Sequence, residues 1–195
     1  MPSPLKRLAS KDSALVVIDV QDKLLAKIPG AAALVRNAAF LLDVAALLEI
    51  PARGTEQYPK GLGPTTAELA RRLPNPIPSK TAFSCCGAGT FLEELEMIRR
   101  PNVVLVGMET HVCVAQTAFD LLHAGLHVFL AVDALGSRFP IDHDTALRRM
   151  EQAGAVLTTV EAVAFEWLGD STHAHFKQVS NLIISRSRDA EAASR

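Results

Sequence analysis

Three short apolar runs constrain the fold more than any other feature of the chain. Residues 14–20 read ALVVIDV, residues 102–108 read NVVLVGM and residues 127–134 read HVFLAVDA. Such continuous apolar runs are typical of strands that are buried on both faces of a parallel sheet. Segments with helical spacing separate them, the clearest at residues 32–50. Strands that alternate with helices predict an α/β protein, a parallel sheet inside a three-layer α/β/α sandwich.

Weaker patterns complete the predicted order of elements. Further strands are expected at residues 50–58, 77–80 and 155–160. Further helices are expected at residues 65–73, 89–100, 112–125, 142–154, 160–168 and 171–185. Asp142 or Asp144 is expected to cap the helix at 142–154, since a carboxylate can accept the free N–H groups at a helix start. A single domain at residues 13–185 follows, with an N-terminal extension at 1–12 and a disordered tail at 186–195.

Charge and hydropathy exclude several classes of function. The 195 residues carry a formal net charge of -1, and no cluster of Lys and Arg is interleaved with aromatic residues. A nucleic-acid partner is therefore not expected. The basic N-terminus is not followed by an apolar signal segment, and Arg36, Asn37 and Asp43 interrupt the most apolar helix. Neither secretion nor a membrane is indicated, so the expected location is the cytoplasm.

The cysteines do not form a disulfide pattern. Cys85 and Cys86 are adjacent, and Cys113 is the odd third. Adjacent cysteines bridge only through a strained ring, so free thiols in a reducing compartment are expected. A redox role for Cys85 and Cys86 stays open beside the simpler reading, in which both pack under a loop.

Three reactive side chains follow predicted strands. Asp19 ends the first apolar run, Lys80 ends the strand at 77–80, and Cys113 follows the run at 102–108. Taken singly, Cys113 reads as a core thiol, Asp19 as a helix cap and Lys80 as a surface amine. Because the carboxyl ends of parallel strands share one edge of the sheet, all three are expected to converge there. Their coincidence favours a thiol hydrolase.

The chemistry of such a hydrolase gives each residue a role. Cys113 attacks a carbonyl, with thiolate character expected from the helix N-terminus and from Lys80. Asp19 acts as general base and then as general acid, while Lys80 is its electrostatic partner. The backbone N–H of Cys113 is placed to receive the oxyanion. His111 is expected to face solvent rather than to act as the base.

Three segments resemble the active-site segments of the isochorismatase-like cysteine hydrolase superfamily, which includes nicotinamidases and N-carbamoylsarcosine amidohydrolase. They are VVIDVQ, SKTAFS and VVLVGMETHVCVAQTAFDLLHAG. The segments GTEQYPKGLGPT and DALGSR further resemble the subgroup of isochorismatase domain-containing proteins. The resemblance extends from about Ser13 to Ile184, nearly the whole chain.

The resemblance implies a six-stranded parallel sheet of order 3-2-1-4-5-6, with the site between strands 1 and 4. It implies the triad Asp19, Lys80 and Cys113. It also implies a cis peptide bond between Met108 and Glu109, with the amides of Glu109 and Cys113 as the oxyanion hole. A homo-oligomer that acts on a small molecule is favoured, while the number of subunits and the substrate do not follow.

Two departures from the family pattern narrow the chemistry. Nicotinamidases carry histidines that hold a metal after the second strand, whereas here that place reads GTEQYPKGLG and the first histidine of the chain is His111. No metal and no other cofactor is therefore expected. Vinyl-ether-cleaving isochorismatases lack the nucleophilic cysteine, so Cys113 points to cleavage of an amide-like C–N bond through a thioester.

Loop residues near these strand ends are weaker candidates for substrate contacts. They are Gln21, Gln57, Tyr58 and Phe83. Two other functions stay open at the level of sequence. The chain could be a binding or scaffold protein with a silent site, or a thiol redox protein that uses Cys85 and Cys86 with Cys113.

Overall fold

The computed structural model describes residues 7–193 and contains the predicted parallel sheet. The strands are β1 (Ser13–Ile18), β2 (Ala52–Gln57), β3 (Ser79–Lys80), β4 (Asn102–Met108), β5 (His127–Gly136) and β6 (Val156–Thr158). All pairings between these strands are parallel, and the order across the sheet is β3-β2-β1-β4-β5-β6. The predicted fold class and strand order are both confirmed.

Helices cover both faces of the sheet. They are α1 (Asp22–Leu25), α2 (Ala31–Leu47), α3 (Pro59–Leu62), α4 (Ala67–Ala70), α5 (Phe91–Ile98), α6 (Ala115–His123), α7 (Pro140–Gln152), α8 (Val160–Leu168) and α9 (Phe176–Ala193). Short 3-10 turns lie at Ser10–Asp12 and Cys85–Gly87, and a π-helical turn lies at Thr110–Val114. No helix within residues 7–193 is long and apolar enough to cross a membrane.

Side chains of β1 divide between two apolar cores. Leu15 and Val17 join the core under α2, α8 and α9. Val16 and Ile18 join the core under α5, α6 and α7. Alternate residues of a strand point to opposite faces, so a strand between two cores must be apolar at every position. This explains the continuous apolar run at the start of the chain.

Several predicted helix boundaries were wrong; the last helix, for example, begins at Phe176, where a start at residue 171 was expected. The seventh helix begins at Pro140 and not at Asp142 or Asp144, because proline fits the first helical turn, where its missing N–H is no loss. The last helix continues through Ala193, where a disordered tail was expected, because Ala190 and Glu191 are good helix formers.

Residues 1–6 of the expected N-terminal extension and residues 194–195 of the expected tail lie outside the described residues. Within the extension, Leu8 is buried and its backbone N–H donates to Glu166 Oε2 at 2.7 Å. The end of the extension therefore packs against the domain.

Candidate active site

The carboxyl edge of the sheet brings Asp19 and Lys80 into direct contact. Asp19 follows β1 directly, with a left-handed backbone (φ 52°), and Lys80 is the last residue of β3. Lys80 Nζ lies 2.6 Å from Asp19 Oδ2, and neither side chain has any exposed surface. These residues are 61 positions apart in the chain. The fold therefore forms this ion pair from two distant strand ends.

Both carboxylate oxygens of Asp19 have a partner. Thr55, on the neighbouring strand β2, donates from Oγ1 to Asp19 Oδ1 at 2.9 Å. The backbone N–H of Asp19 also donates to the carbonyl of Thr55 at 3.1 Å. A buried carboxylate is costly unless it is paired and hydrogen-bonded, and here both conditions are met.

The ammonium group of Lys80 is equally well satisfied. Besides Asp19, Nζ donates to Gln57 Oε1 at 2.8 Å and to the carbonyl of Phe83 at 2.8 Å. An ammonium has three protons, and each has an acceptor here. Lys80 is thus a fixed positive charge beside Asp19.

Cys113 lies in the π-helical turn after β4 and is 6% exposed. Burial raises the pKa of its thiol far above the usual value, and the charge of Asp19 raises the pKa further and outweighs Lys80, which lowers it. The raised pKa does not favour the thiolate that was expected from the helix N-terminus and from Lys80. Cys113 therefore lies close enough to the Asp19 carboxylate and the Lys80 ammonium for both charges to act on its thiol.

The turn that carries Cys113 is compact. The peptide bond between Met108 and Glu109 is cis. The carbonyl of Glu109 accepts hydrogen bonds from the N–H groups of Val112 at 3.0 Å and Val114 at 3.2 Å. The chain therefore curls back over Glu109 and brings this residue and Cys113 to the same turn.

His111 was expected to face solvent, but most of its side chain is covered by the protein. Its side chain is 24% exposed, its Nδ1 lies 3.0 Å from Ser137 Oγ, and its Nε2 lies 3.8 Å from Asp142 Oδ2. Ser137 comes from the segment after β5, which packs over the turn. Among residues 7–193 there is no group of three or more His, Cys, Asp or Glu side chains that could hold a metal ion.

The two glutamines that were predicted to contact substrate both form hydrogen bonds within the protein. Gln21 has no exposed surface, accepts from the N–H of Gln57 at 2.8 Å and donates to the carbonyl of Gln57 at 3.1 Å. Gln57 in turn binds Lys80 and donates to the carbonyl of Thr81 at 3.0 Å. Gln57 therefore contacts Lys80 directly, and Gln21 contacts Gln57.

The two aromatic candidates lie at the rim. Tyr58 is 54% exposed and Phe83 is 51% exposed. The N–H of Tyr58 donates to the carbonyl of Lys80 at 2.9 Å, and the carbonyl of Phe83 accepts from Lys80 Nζ. The backbones of both residues therefore lie beside Lys80, and both side chains are about half exposed.

Sequence reasoning missed Thr55 and placed Cys85 only loosely. Cys85 is fully buried, with Sγ 3.3 Å from Thr55 Oγ1, and burial raises the pKa of its thiol to about 11. Burial also raises the pKa of the half-buried Cys86. The signal that could have found Thr55 is strand register, since Thr55 pairs with Ile18, the residue before Asp19.

Comparisons with known proteins identify the family of the chain. Residues 13–162 match the family model of the isochorismatase domain. The chain belongs to the isochorismatase family. Mouse isochorismatase domain-containing protein 2A is 41% identical over 180 residues, which cover 92% of this chain and 86% of the mouse protein. The predicted family, and with it the subgroup, is confirmed.

Two solved structures are similar to the chain along almost its whole length. The MAR1 ribonuclease from Caenorhabditis elegans is 44% identical, with a TM-score of 0.85 and coverage of 92% of this chain and 93% of that one. The YcaC gene product from Escherichia coli, described as an octameric hydrolase of unknown specificity, is 27% identical, with a TM-score of 0.83 and coverage of 95% and 98%. These matches place the chain among isochorismatase-like hydrolases.

Proposed function

We propose that the protein is a cysteine hydrolase that cleaves the C–N bond of a small amide-like metabolite through a thioester. The observation that carries the proposal is the buried ion pair of Asp19 with Lys80, whose charges both act on the thiol of Cys113. A thiol with a raised pKa needs a base at the moment of attack, and Asp19 is the carboxylate beside it. We also propose a homo-oligomer, on the precedent of the octameric Escherichia coli protein. The three free cysteines support a proposed location in the reducing cytoplasm.

The proposed reaction has two halves. As the sulfur of Cys113 bonds to the carbonyl carbon, its proton passes to Asp19, and the oxyanion accepts from the amides of Glu109 and Cys113. Asp19 then gives the proton to the leaving nitrogen, the C–N bond breaks, and an amine or ammonia departs. Asp19 next takes a proton from water, whose oxygen attacks the thioester. The acid leaves and Cys113 regains its proton.

Lys80 serves this sequence without touching the reacting atoms. Its charge lies 2.6 Å from Asp19, so it stabilises the carboxylate each time the proton leaves. Its Nζ is committed to Asp19, Gln57 and Phe83 and is not free to bind a phosphate. This arrangement favours an amide over RNA, although the Caenorhabditis elegans protein is named a ribonuclease.

Alkylation of Cys113 tests the assignment without knowledge of the substrate. Intact-mass measurement after brief iodoacetamide treatment should show one modification of the wild type, at Cys113. Asp19→Asn should slow that modification by about 10²-fold or more, because the thiol loses its base. The exposed Asp189→Asn is the matched control and should react like the wild type. Slow and equal labelling of all three thiols would contradict the proposal.

Product assays then separate the alternatives. Ammonia release from a library of small amides should occur with the wild type and disappear with Cys113→Ala. The scaffold alternative predicts no release from any amide, and the redox alternative predicts a reversible mass change with peroxide instead. The same proteins are also assayed for cleavage of RNA. RNA cleavage by the wild type that is lost in Cys113→Ala would contradict the proposed amide substrate.

A further inference from the structure

Three consecutive side chains tie the turn at Glu109–His111 to the segment between β5 and α7 and to α7 itself. Glu109 Oε2 accepts from the backbone N–H of Arg138 at 3.2 Å and from its Nε at 3.0 Å. The other two contacts are Thr110 Oγ1 with His143 Nδ1 at 2.9 Å and His111 Nδ1 with Ser137 Oγ at 3.0 Å. The mechanism proposed above uses the backbone of this turn but does not explain these side-chain contacts.

Strand register makes the contact with Arg138 specific. Met108 at the end of β4 pairs with Gly136 at the end of β5. Glu109 and Arg138 therefore follow paired residues on adjacent strands, and they meet at the carboxyl edge. Arg138 holds the carboxylate with both its backbone and its side chain, so the position of Glu109 is fixed relative to β5.

The contact between Arg138 and Glu109 affects the charge close to the proposed oxyanion. The side chain of Glu109 is only 12% exposed and belongs to the residue whose amide faces the oxyanion in the proposed reaction. An unpaired carboxylate at that distance would repel the developing negative charge. A displaced amide would also lose stabilisation, since oxyanion-hole donors act only when held at hydrogen-bond distance from the forming oxyanion.

We propose that Arg138 is a positioning residue for the oxyanion hole. It neutralises the carboxylate of Glu109 and holds this residue so that its amide stays directed at the oxyanion. This inference rests on the proposed function. A merely structural role is a poor explanation, because the side chain of Arg138 is 52% exposed and exposed ion pairs contribute little to stability.

The test compares two reactions of the same thiol. Acetylation by p-nitrophenyl acetate joins the sulfur of Cys113 to the acetyl carbon, releases p-nitrophenolate and passes the thiol proton to Asp19, through an oxyanion. Alkylation by iodoacetamide displaces iodide without an oxyanion. Arg138→Met should slow the acetylation burst about 10-fold, less than the 10²–10³ that follows loss of a whole oxyanion-hole donor. It should leave the alkylation rate within about twofold and the melting temperature within about 4 °C.

Further variants identify the cause. Arg138→Lys keeps the charge and should recover part of the acetylation rate. Glu109→Gln removes the charge that Arg138 neutralises, so adding Arg138→Met to it should slow acetylation less than in the wild type. Arg53→Met is the matched control, since it removes a similar pair, with Nε 3.2 Å from Glu94, on β2. It should leave both rates unchanged.

The outcomes separate the inference from the function on which it rests. A wild type that acetylates Cys113, with Arg138→Met acetylating equally fast, would overturn the positioning role alone. Equal slowing of acetylation and alkylation would also overturn it, because that pattern indicates general damage. A wild type that is alkylated at Cys113 but never acetylated would overturn the proposed thioester chemistry, and this inference with it.

Discussion

Asp19 has no exposed surface, yet each oxygen of its carboxylate is directed by a different strand. Lys80 on β3 fixes Oδ2, and Thr55 on β2 fixes Oδ1. A carboxylate that must take a proton from sulfur and return it to nitrogen needs a constant orientation through both steps. The hydroxyl of Thr55 therefore orients the base. It does so without touching the substrate, since Asp19 and Cys113 lie between Thr55 and the reacting carbonyl.

Thr55→Val tests this role. Valine keeps the shape of threonine but leaves Asp19 Oδ1 without its donor, so the free energy of unfolding should fall by about 1–3 kcal/mol. Alkylation of Cys113 should also slow, because the base is no longer held. Urea unfolding and intact mass measure the two effects. The control is Thr145→Val at an exposed position, and equal behaviour of the two variants would contradict a role for Thr55.

The sequence could place Asp19, Lys80 and Cys113 at one edge because each follows a recognisable strand, and strand ends converge whatever the exact pairing. It could not place Thr55 or Arg138. Their roles depend on the pairing between strands. Thr55 pairs with Ile18, and Gly136, two residues before Arg138, pairs with Met108. Register is set by packing across the whole sheet and is not encoded in any single segment.

At the scale of elements, the close approach of β1 and β4 forms the floor of the site. Gly107 on β4 pairs with Ile18 on β1 and has a φ of +123°. A Cβ at Gly107 would lie 2.2 Å from the carbonyl oxygen of Ile18. Only glycine fits this position, since the neighbour is backbone and cannot move aside.

Gly107→Ala should therefore separate the two strands just below Asp19. Strain and overpacking together should lower the free energy of unfolding by about 3 kcal/mol or more. Gly125→Ala is the control: its φ is also positive, at +82°, but no atom lies within 4 Å of the added Cβ. It should cost about 1–2 kcal/mol from the backbone alone. Urea unfolding of both variants gives the comparison, and equal losses would show that the contact with Ile18 does not matter.

The elements that the sequence placed well are those with continuous burial. The runs at β1 and β4 are apolar at nearly every position because both faces are covered, and these strands begin and end close to the predicted residues. Helix ends were harder. Asp142 looked like a cap, but Pro140 starts the helix and leaves Asp142 in the first turn, where its carboxylate lies near His111. The carboxylate of Asp142 thus lies near His111 of another element and does not cap its own helix.

At the scale of the whole molecule, the sheet separates the site from the contacts that fasten the last helix. Cys113 belongs to the core under α5, α6 and α7, whereas Val179 of α9 belongs to the opposite core. Arg186 fastens α9 there. Its guanidinium lies 4.8 Å from the ring centre of Phe40 and pairs with Glu161. This separation predicts that stability and reactivity can be changed independently.

Arg186→Met should lower stability without changing the site. The loss of Arg186 removes the cation over Phe40 and the partner of Glu161 and Asp133, whose side chains are 44% and 32% exposed. Because water can reach both carboxylates, the free energy of unfolding should fall by only about 1 kcal/mol. Alkylation of Cys113 below the melting temperature should proceed at the wild-type rate, because Cys113 belongs to the core on the opposite face of the sheet from α9. Arg188→Met, at an exposed position of the same helix, is the control for both measurements. Slower alkylation in Arg186→Met alone would mean that the two faces are coupled through β5, which carries Asp133.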